Sequence, residues 1–313
     1  MSSCARTGGP AMSERAPGRD DGATLLVTPD TRRHDGAGPT ERGFLLFKPD
    51  TLERRLLQDC VADIARAGLR VLEQHPLRLT EAQIAAVWSG IDPGRRPLTA
   101  GLMRRYLSAG PSRLVLVDGP GATARLLALK SAIRRRHGAV YYANLVHSPD
   151  SAEEARRELA ALLDGRYDPD ARFRPTTATW HGWSMETVEA ALDRWWASVP
   201  EQRGRRPTHW SPPLPAASHR VCIYAKRHWA VAFDDMACFL AETAGVGEPE
   251  FAVRAGFAAL YDGEGFVLPM ASAKAAHDTC RTVRAFGLIA RGPGDSGQSG
   301  HGTGTDRRPD PRE

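Results

Sequence analysis

The apolar positions of this 313-residue chain change period several times between residues 43 and 165, and each change marks an element. "GFLLFKP" (43–49) is an apolar run closed by proline and reads as a short buried strand. In "TLERRLLQDCVADIARAG" (51–68) Leu52, Leu56, Leu57, Val61, Ile64 and Ala65 form a helical face, so one amphipathic helix is expected with Gly68 as its stop. "LRVLEQHPLRL" alternates as a strand does. "TEAQIAAVWSG" reads as a helix behind a threonine cap, and "TAGLMRRYLSAG" as another helix. "PSRLVLVDG" alternates again, "GATARLLALKSAIRRRHG" starts as a helix, and "AVYYANLVH" reads as a strand. "DSAEEARRELAALL" opens with Asp-Ser and carries acids in its first turn, the mark of a helix N-terminus. Elements in this order predict helices packed on an open sheet, an α/β sandwich.

After "DGRYDPDARFRPTT" (164–177) the texture changes. "SMETVEAALDRWWASV" is an amphipathic helix whose Trp195-Trp196 pair is expected to face a core, and "GRRPTHWSPPLPAASH" is a proline-rich loop. "RVCIYAKRHWAVAF" fits a pair of strands, or one buried strand and a turn. "DDMACFLAETAG" and "PEFAVRAGFAALY" look helical, "GFVLP" is a short strand, and "SAKAAHDTCRTVRAFGLIA" is expected to be a last helix. Residues 166–291 are therefore expected to form a mainly helical C-terminal module, or an extension docked on the first. The adjacent Asp234 and Asp235 could hold a metal, but such a pair more often caps a helix. Residues 1–42 and 292–313 are rich in Gly, Pro, Ser, Arg and Asp and are expected to be disordered. The island "TLLVTPDT" (24–31) is at most an added edge strand.

The formal net charge of +5 comes from arginines scattered among acids, not from one basic stripe. Nucleic-acid binding is not implied, and anionic small ligands such as nucleotides fit the balance equally well. Five cysteines (Cys4, Cys60, Cys222, Cys238 and Cys280), widely spaced and without a CxxC pair, suggest neither zinc nor a disulfide framework. With no apolar leader and no long apolar run, a soluble cytoplasmic protein with no membrane contact is the expectation. No metal ligands are assigned, since the histidines of residues 166–291 lack metal-like spacing.

Four blocks, in order over residues 43–160, resemble the nucleoside diphosphate kinase family: "FLLFKPD", "RRPLTAGLMRRYLSAGP", "LVLVDG" and "NLVHSPDSAEEARRELAAL". The resemblance implies a ferredoxin-like antiparallel sheet covered by helices over residues 43–165, and a phosphotransferase. In that family a histidine takes the γ-phosphoryl of ATP, with Mg2+, and passes it to a nucleoside diphosphate. Carried over by position, His147 falls on the nucleophile and Glu158, eleven residues later, on the glutamate that holds the other ring nitrogen. Lys48 matches the phosphate- and sugar-contacting lysine, Asn144 the ribose- and phosphate-contacting asparagine, and Arg125 and Arg134 two phosphate-binding arginines. Nucleotides are the implied partners, and a homo-oligomer is a further implication of the resemblance.

The pattern departs in four places. Ser148-Pro149 stands where the family has Gly-Ser, so the second position has no hydroxyl and no N–H. Leu98 stands where an aromatic covers the base. The stretch between Arg125 and Arg134 is short and lacks a Thr-x-Pro loop, for which Lys130 or Ser131 could compensate. The tyrosine beside the nucleotide has no clear match, with Trp88 nearby in sequence. Three functions follow as alternatives: a phosphotransferase acting through phosphohistidine, a catalytically weakened nucleotide-binding or scaffold module, or an enzyme housed in the C-terminal module.

Overall fold

The computed structural model describes residues 40–137, 144–198, 219–224, 232–261 and 266–295, all within one compact unit that begins at Gly38. The expected island at 24–31, the proline-rich loop at 204–218 and most of both terminal segments lie outside the described residues.

β1 (Thr40–Phe47) starts ahead of the apolar run. It is followed by α1 (Pro49–Glu53), α2 (Leu57–Arg66), β2 (Arg70–Leu77), α3 (Glu81–Val87), α4 (Pro97–Ser108), β3 (Ser112–Pro120), α5 (Ala122–His137), β4 (Val146–His147) and α6 (Ala152–Leu162). The sheet order is β2-β3-β1-β4, and every neighbouring pair is antiparallel. This is the expected ferredoxin-like α/β sandwich. The central strand β1 is buried on both faces because successive side chains point opposite ways. Leu45 and Phe47 meet Ile64 of α2 and Leu126 and Ile133 of α5. Phe44 and Leu46 face the core that holds α3, α4 and α6.

The helix expected over residues 51–68 is broken. Arg55 has φ 56°, and the Leu56 amide bonds the Thr51 carbonyl. The neighbouring Arg54 guanidinium donates to the His137 carbonyl at 2.6 Å. A left-handed residue ends the first helix, and the apolar face resumes in α2.

The C-terminal residues form β5 (Thr179–Trp180), β6 (Trp183–Ser184), α7 (Met185–Ser198), β7 (His219–Tyr224), α8 (Phe233–Ala244), α9 (Pro249–Tyr261), β8 (Phe266–Met270), α10 (Ala273–Ala285) and β9 (Ile289–Arg291). Three of these strands, β5, β6 and β9, were not expected. His181 and Gly182, at φ 47° and 80°, make a two-residue turn with both residues left-handed, which joins β5 to β6. The expected last helix stops near Gly287, at φ 97°. The chain returns as β9, whose pairing with β7 buries Ala290.

These residues extend the core that covers one face of the first sheet. Leu98, Leu102 and Leu107 of α4 share a continuous apolar cluster with Val188, Leu192 and Trp195 of α7 and with Phe233 and Met236 of α8. Trp195 stacks on Phe257 at 4.3 Å, whereas Trp196 is only partly buried. Of the aromatic pair expected in the core, one ring is central and the other peripheral.

Candidate active site

The end of β1 fixes the site's backbone. The Lys48 amide donates to the Leu145 carbonyl at 2.8 Å, and the Thr51 hydroxyl donates to the same oxygen at 2.6 Å. The Leu145 amide donates to the Asp50 carboxylate at 3.1 Å, and that carboxylate also accepts a short hydrogen bond from the Tyr106 hydroxyl. Leu145 itself has φ 67°, a left-handed conformation that costs a non-glycine residue about 1–3 kcal/mol and persists only where its surroundings over-determine it. Here the residues of the Lys48-Pro49-Asp50-Thr51 segment grip Leu145 from both its N–H and its C=O. The result is that Val146 and His147 lie antiparallel to β1, with His147 opposite Leu46.

His147 Nε2 lies 2.7 Å from Glu158 Oε2, and the glutamate side chain is wholly buried. Glu158 sits on α6, which Ser151 caps by accepting the Glu154 amide. Burial first, then Lys48, Lys130 and Arg134, holds His147 well below the usual imidazole range, so the ring is neutral at pH 7. Burial also pushes Glu158 up to about 8, with Glu154 adding to it. Its Oε1 accepts no hydrogen bond among the described residues, the nearest cation being Arg157 at 3.8 Å. The Ser148 hydroxyl is turned onto the Pro149 carbonyl.

Cations surround the histidine. Lys48 Nζ donates to Asn144 Oδ1 at 2.6 Å. Arg134 donates to Asn144 Oδ1 at 3.3 Å, to the Asn144 carbonyl at 3.1 Å and to the Val146 carbonyl at 2.7 Å. Lys130 Nζ reaches the Ser148 carbonyl at 3.0 Å and Asp150 at 2.8 Å. Burial, reinforced by Arg134, brings Lys48 down to about 7. Its ammonium lies 5.5 Å from the Trp88 ring centroid and 5.9 Å from that of Tyr106. Trp88 in turn lies 5.2 Å from the His147 ring. The Trp88 ring thus lies beside both Lys48 and His147, and the neutral imidazole feels Lys48, Lys130 and Arg134, of which Lys130 is paired with Asp150.

The structure thus brings together His147, Glu158, Lys48, Asn144 and Arg134. It leaves out Arg125, whose guanidinium donates to the carbonyls of Ala67 and Gly68 at 3.0 and 3.1 Å. Arg125 stands nine residues before Arg134 on the same helix, about 13 Å away along its axis. Of the two candidates for the missing threonine, Lys130 joins the site, while the Ser131 hydroxyl donates to its own helix at Leu127. Arg136 pairs with Asp63 instead. Leu98 is core, with no exposed surface. Trp88, in the stretch where the family tyrosine has no clear match, lies beside both Lys48 and His147. Asp50 and Tyr106 were not singled out; the unbroken Lys-Pro-Asp motif was the one available signal for Asp50.

Fold and site together define an α/β protein with a histidine–carboxylate pair set among the cations of Lys48, Lys130 and Arg134. The chain belongs to the nucleoside diphosphate kinase family. The model of that family, described as nucleoside diphosphate kinase, matches residues 41–166. A nucleoside diphosphate kinase of Acidiphilium cryptum is 33% identical over 136 residues, 40% of this chain and 95% of the relative. One of Mycobacterium tuberculosis is 31% identical over 137 residues, 40% of this chain and 98% of the relative. A solved nucleoside diphosphate kinase from Encephalitozoon cuniculi aligns with a TM-score of 0.35 at 20% identity, over 42% of this chain and 94% of that one. Among the described residues no three His, Cys, Asp or Glu side chains gather as a metal site would need, and no helix is long and apolar enough to cross a membrane.

Proposed function

We propose that this chain is a phosphotransferase that moves the γ-phosphoryl of Mg-ATP through a phosphohistidine at His147 to a nucleoside diphosphate or related acceptor. The observation that carries it is the His147–Glu158 contact beneath the Lys48, Lys130 and Arg134 cations. In the form with Glu158 ionised, Nε2–H is donated to the carboxylate and the lone pair is left on Nδ1. Nδ1 attacks the γ-phosphorus and forms an N–P bond. The bond from phosphorus to the β,γ-bridging oxygen breaks, and ADP leaves carrying that electron pair. Lys48 and Arg134 balance the charge on the phosphates, and Glu158 stabilises the cationic ring that forms. In the second half, a terminal phosphate oxygen of the acceptor attacks phosphorus and the N–P bond breaks back to Nδ1. No proton leaves the ring in either half. Magnesium enters as part of the nucleotide substrate, consistent with the ion's preference for one or two carboxylates and substrate phosphates over an all-protein cage. The test is a two-stage reaction. Protein treated with Mg-ATP and freed of nucleotide should convert added GDP or CDP to triphosphate in one turnover, and protein that yields no triphosphate overturns the reading.

The orphaned Glu158 Oε1 and Pro149 favour a second reading, a nucleotide-binding module whose transfer step is weakened. Calorimetric binding of ADP without any triphosphate formation would select it. A homo-oligomer and a cytoplasmic location remain part of the proposal.

A further inference from the structure

Asp234 belongs to the C-terminal residues, yet its carboxylate does not serve its own helix. The N-cap of α8 is Ala232, with no side-chain cap bond. Instead Asp234 Oδ1 accepts the Leu98 amide at 2.7 Å, and Oδ2 accepts the Thr99 amide at 3.2 Å and the Thr99 hydroxyl at 2.5 Å. These are orphan donors of the first turn of α4, 135 and 136 residues away in sequence. Leu98, Thr99 and Asp234 are all buried, so this helix N-terminus is closed to any ligand and its positive end is spent on an internal carboxylate. Further along α4, Glu189 of α7 accepts from Arg104 at 2.5 Å and from Arg105 at 2.7 Å, and Asp193 accepts from Arg105 at 2.9 Å. Two C-terminal helices therefore grip α4 at its start and along its flank.

α4 also forms a wall of the candidate site. It carries Tyr106, which bonds Asp50, and Asp50 holds the left-handed Leu145 two residues before His147. We propose that α7 and α8 serve the histidine site as positioning elements, and that Asp234 is their positioning residue, acting through α4, Tyr106 and Asp50 on the backbone that presents His147. The catalytic consequence rests on the phosphoryl-transfer reading above; the mechanical chain does not. A carboxylate fixing the start of a helix sets where a tyrosine two turns later stands. Displacement of about 1 Å at a reacting group can cost about a hundredfold in rate.

The test uses the full chain with Asp234→Asn, which keeps the side chain's shape and sets an amide N–H₂ or a single carbonyl against the Thr99 donors. Amide hydrogen exchange should quicken at Leu98–Ala100 and also at Leu145. The rate of phosphohistidine formation should fall about tenfold or more, and less than that when Tyr106→Phe is already present, since both substitutions break one chain. Faster exchange confined to α4 with Leu145 unchanged, or fold-changes that simply multiply in the double variant, would overturn the proposal and leave Asp234 as an anchor only. If the parent protein takes no label at all, the phosphoryl-transfer reading fails by itself. The Leu145 exchange rate then still decides whether Asp234 positions the site.

Discussion

The Nε2 of His147 stands 2.7 Å from an oxygen of the wholly buried Glu158; when Glu158 is ionised it accepts the Nε2 hydrogen, and Nδ1 is then the nitrogen with a lone pair to offer. A hydrogen bond from a ring N–H to a buried carboxylate is worth about 1.5–3 kcal/mol. Glu158→Ala should therefore slow phosphohistidine formation by about 10- to 100-fold, read as the single-turnover labelling rate. An unchanged rate would remove Glu158 from the mechanism.

The same pair predicts a pH profile. Glu158, pushed up to about 8 by burial, can in its protonated form donate to Nε2 and drive the ring hydrogen onto Nδ1, which blocks attack. At saturating Mg-ATP the labelling rate should rise as pH increases through about 8 and then level. Glu154 helps to raise Glu158, so Glu154→Gln should move the rise to lower pH. A profile that does not respond to Glu154→Gln would contradict this assignment.

Lys48 has lost much of its ordinary basicity to burial and to Arg134, and titrates near 7. A bound polyphosphate favours the charged ammonium, so binding at pH 8 should take up a proton, one at most from this residue. Calorimetry of ADP binding in buffers of different ionisation enthalpy measures the uptake. Lys48→Met should remove it, and uptake of the same size in that variant would assign the proton elsewhere.

Arg134 and Arg125 should part company. Arg134→Ala removes a cation buried against Asn144 and should cut labelling at least tenfold, by about 1.5–3 kcal/mol for a charged hydrogen-bonding group. Arg125→Ala removes contacts to the α2–β2 connection, and its labelling rate should stay within about twofold, with at most a small loss of stability, as for most surface changes. Equal losses in the two variants would show that Arg125 reaches the ligand after all.

Asp234 predicts a stability trend. Burial outweighs its three donors and raises it to about 6, from 3.8. The folded state therefore holds this proton more tightly than the unfolded chain does. Its contribution is fully present below 3.8 and is lost as pH rises through 6. Asp234→Asn, which cannot titrate, should gain stability relative to the parent between pH 4 and pH 7 in denaturant unfolding. A stability difference that is flat across that range would mean the carboxyl is not raised.

What could be read from the residues, and what could not, follows from the range of the interactions. The "NLVH" run, Glu158 and the Lys-Pro-Asp segment sit at or near the ends of short neighbouring elements, so the spacings alone proposed His147, Glu158, Lys48 and Asn144, and the structure brings these four together. Arg134 could be placed because it is counted from the histidine. Arg125 is counted across a shortened stretch, and the structure sets it on the Ala67 and Gly68 carbonyls, away from the other four. The break at Arg55 and the β9 return are tertiary choices: an arginine drawn to a distant carbonyl, and a short strand stabilised only by pairing with β7. Asp234 was expected to cap a helix, but the helix it caps is set by packing over more than a hundred residues, which no local pattern encodes.

Exposure of the chain to γ-labelled Mg-ATP, followed by acid and base treatment, tests the central claim most directly. The expected result is a phosphoryl group on the protein that is labile in acid, stable in base and absent in His147→Ala. A parent protein that takes no label, or a His147→Ala variant that labels equally, would contradict it.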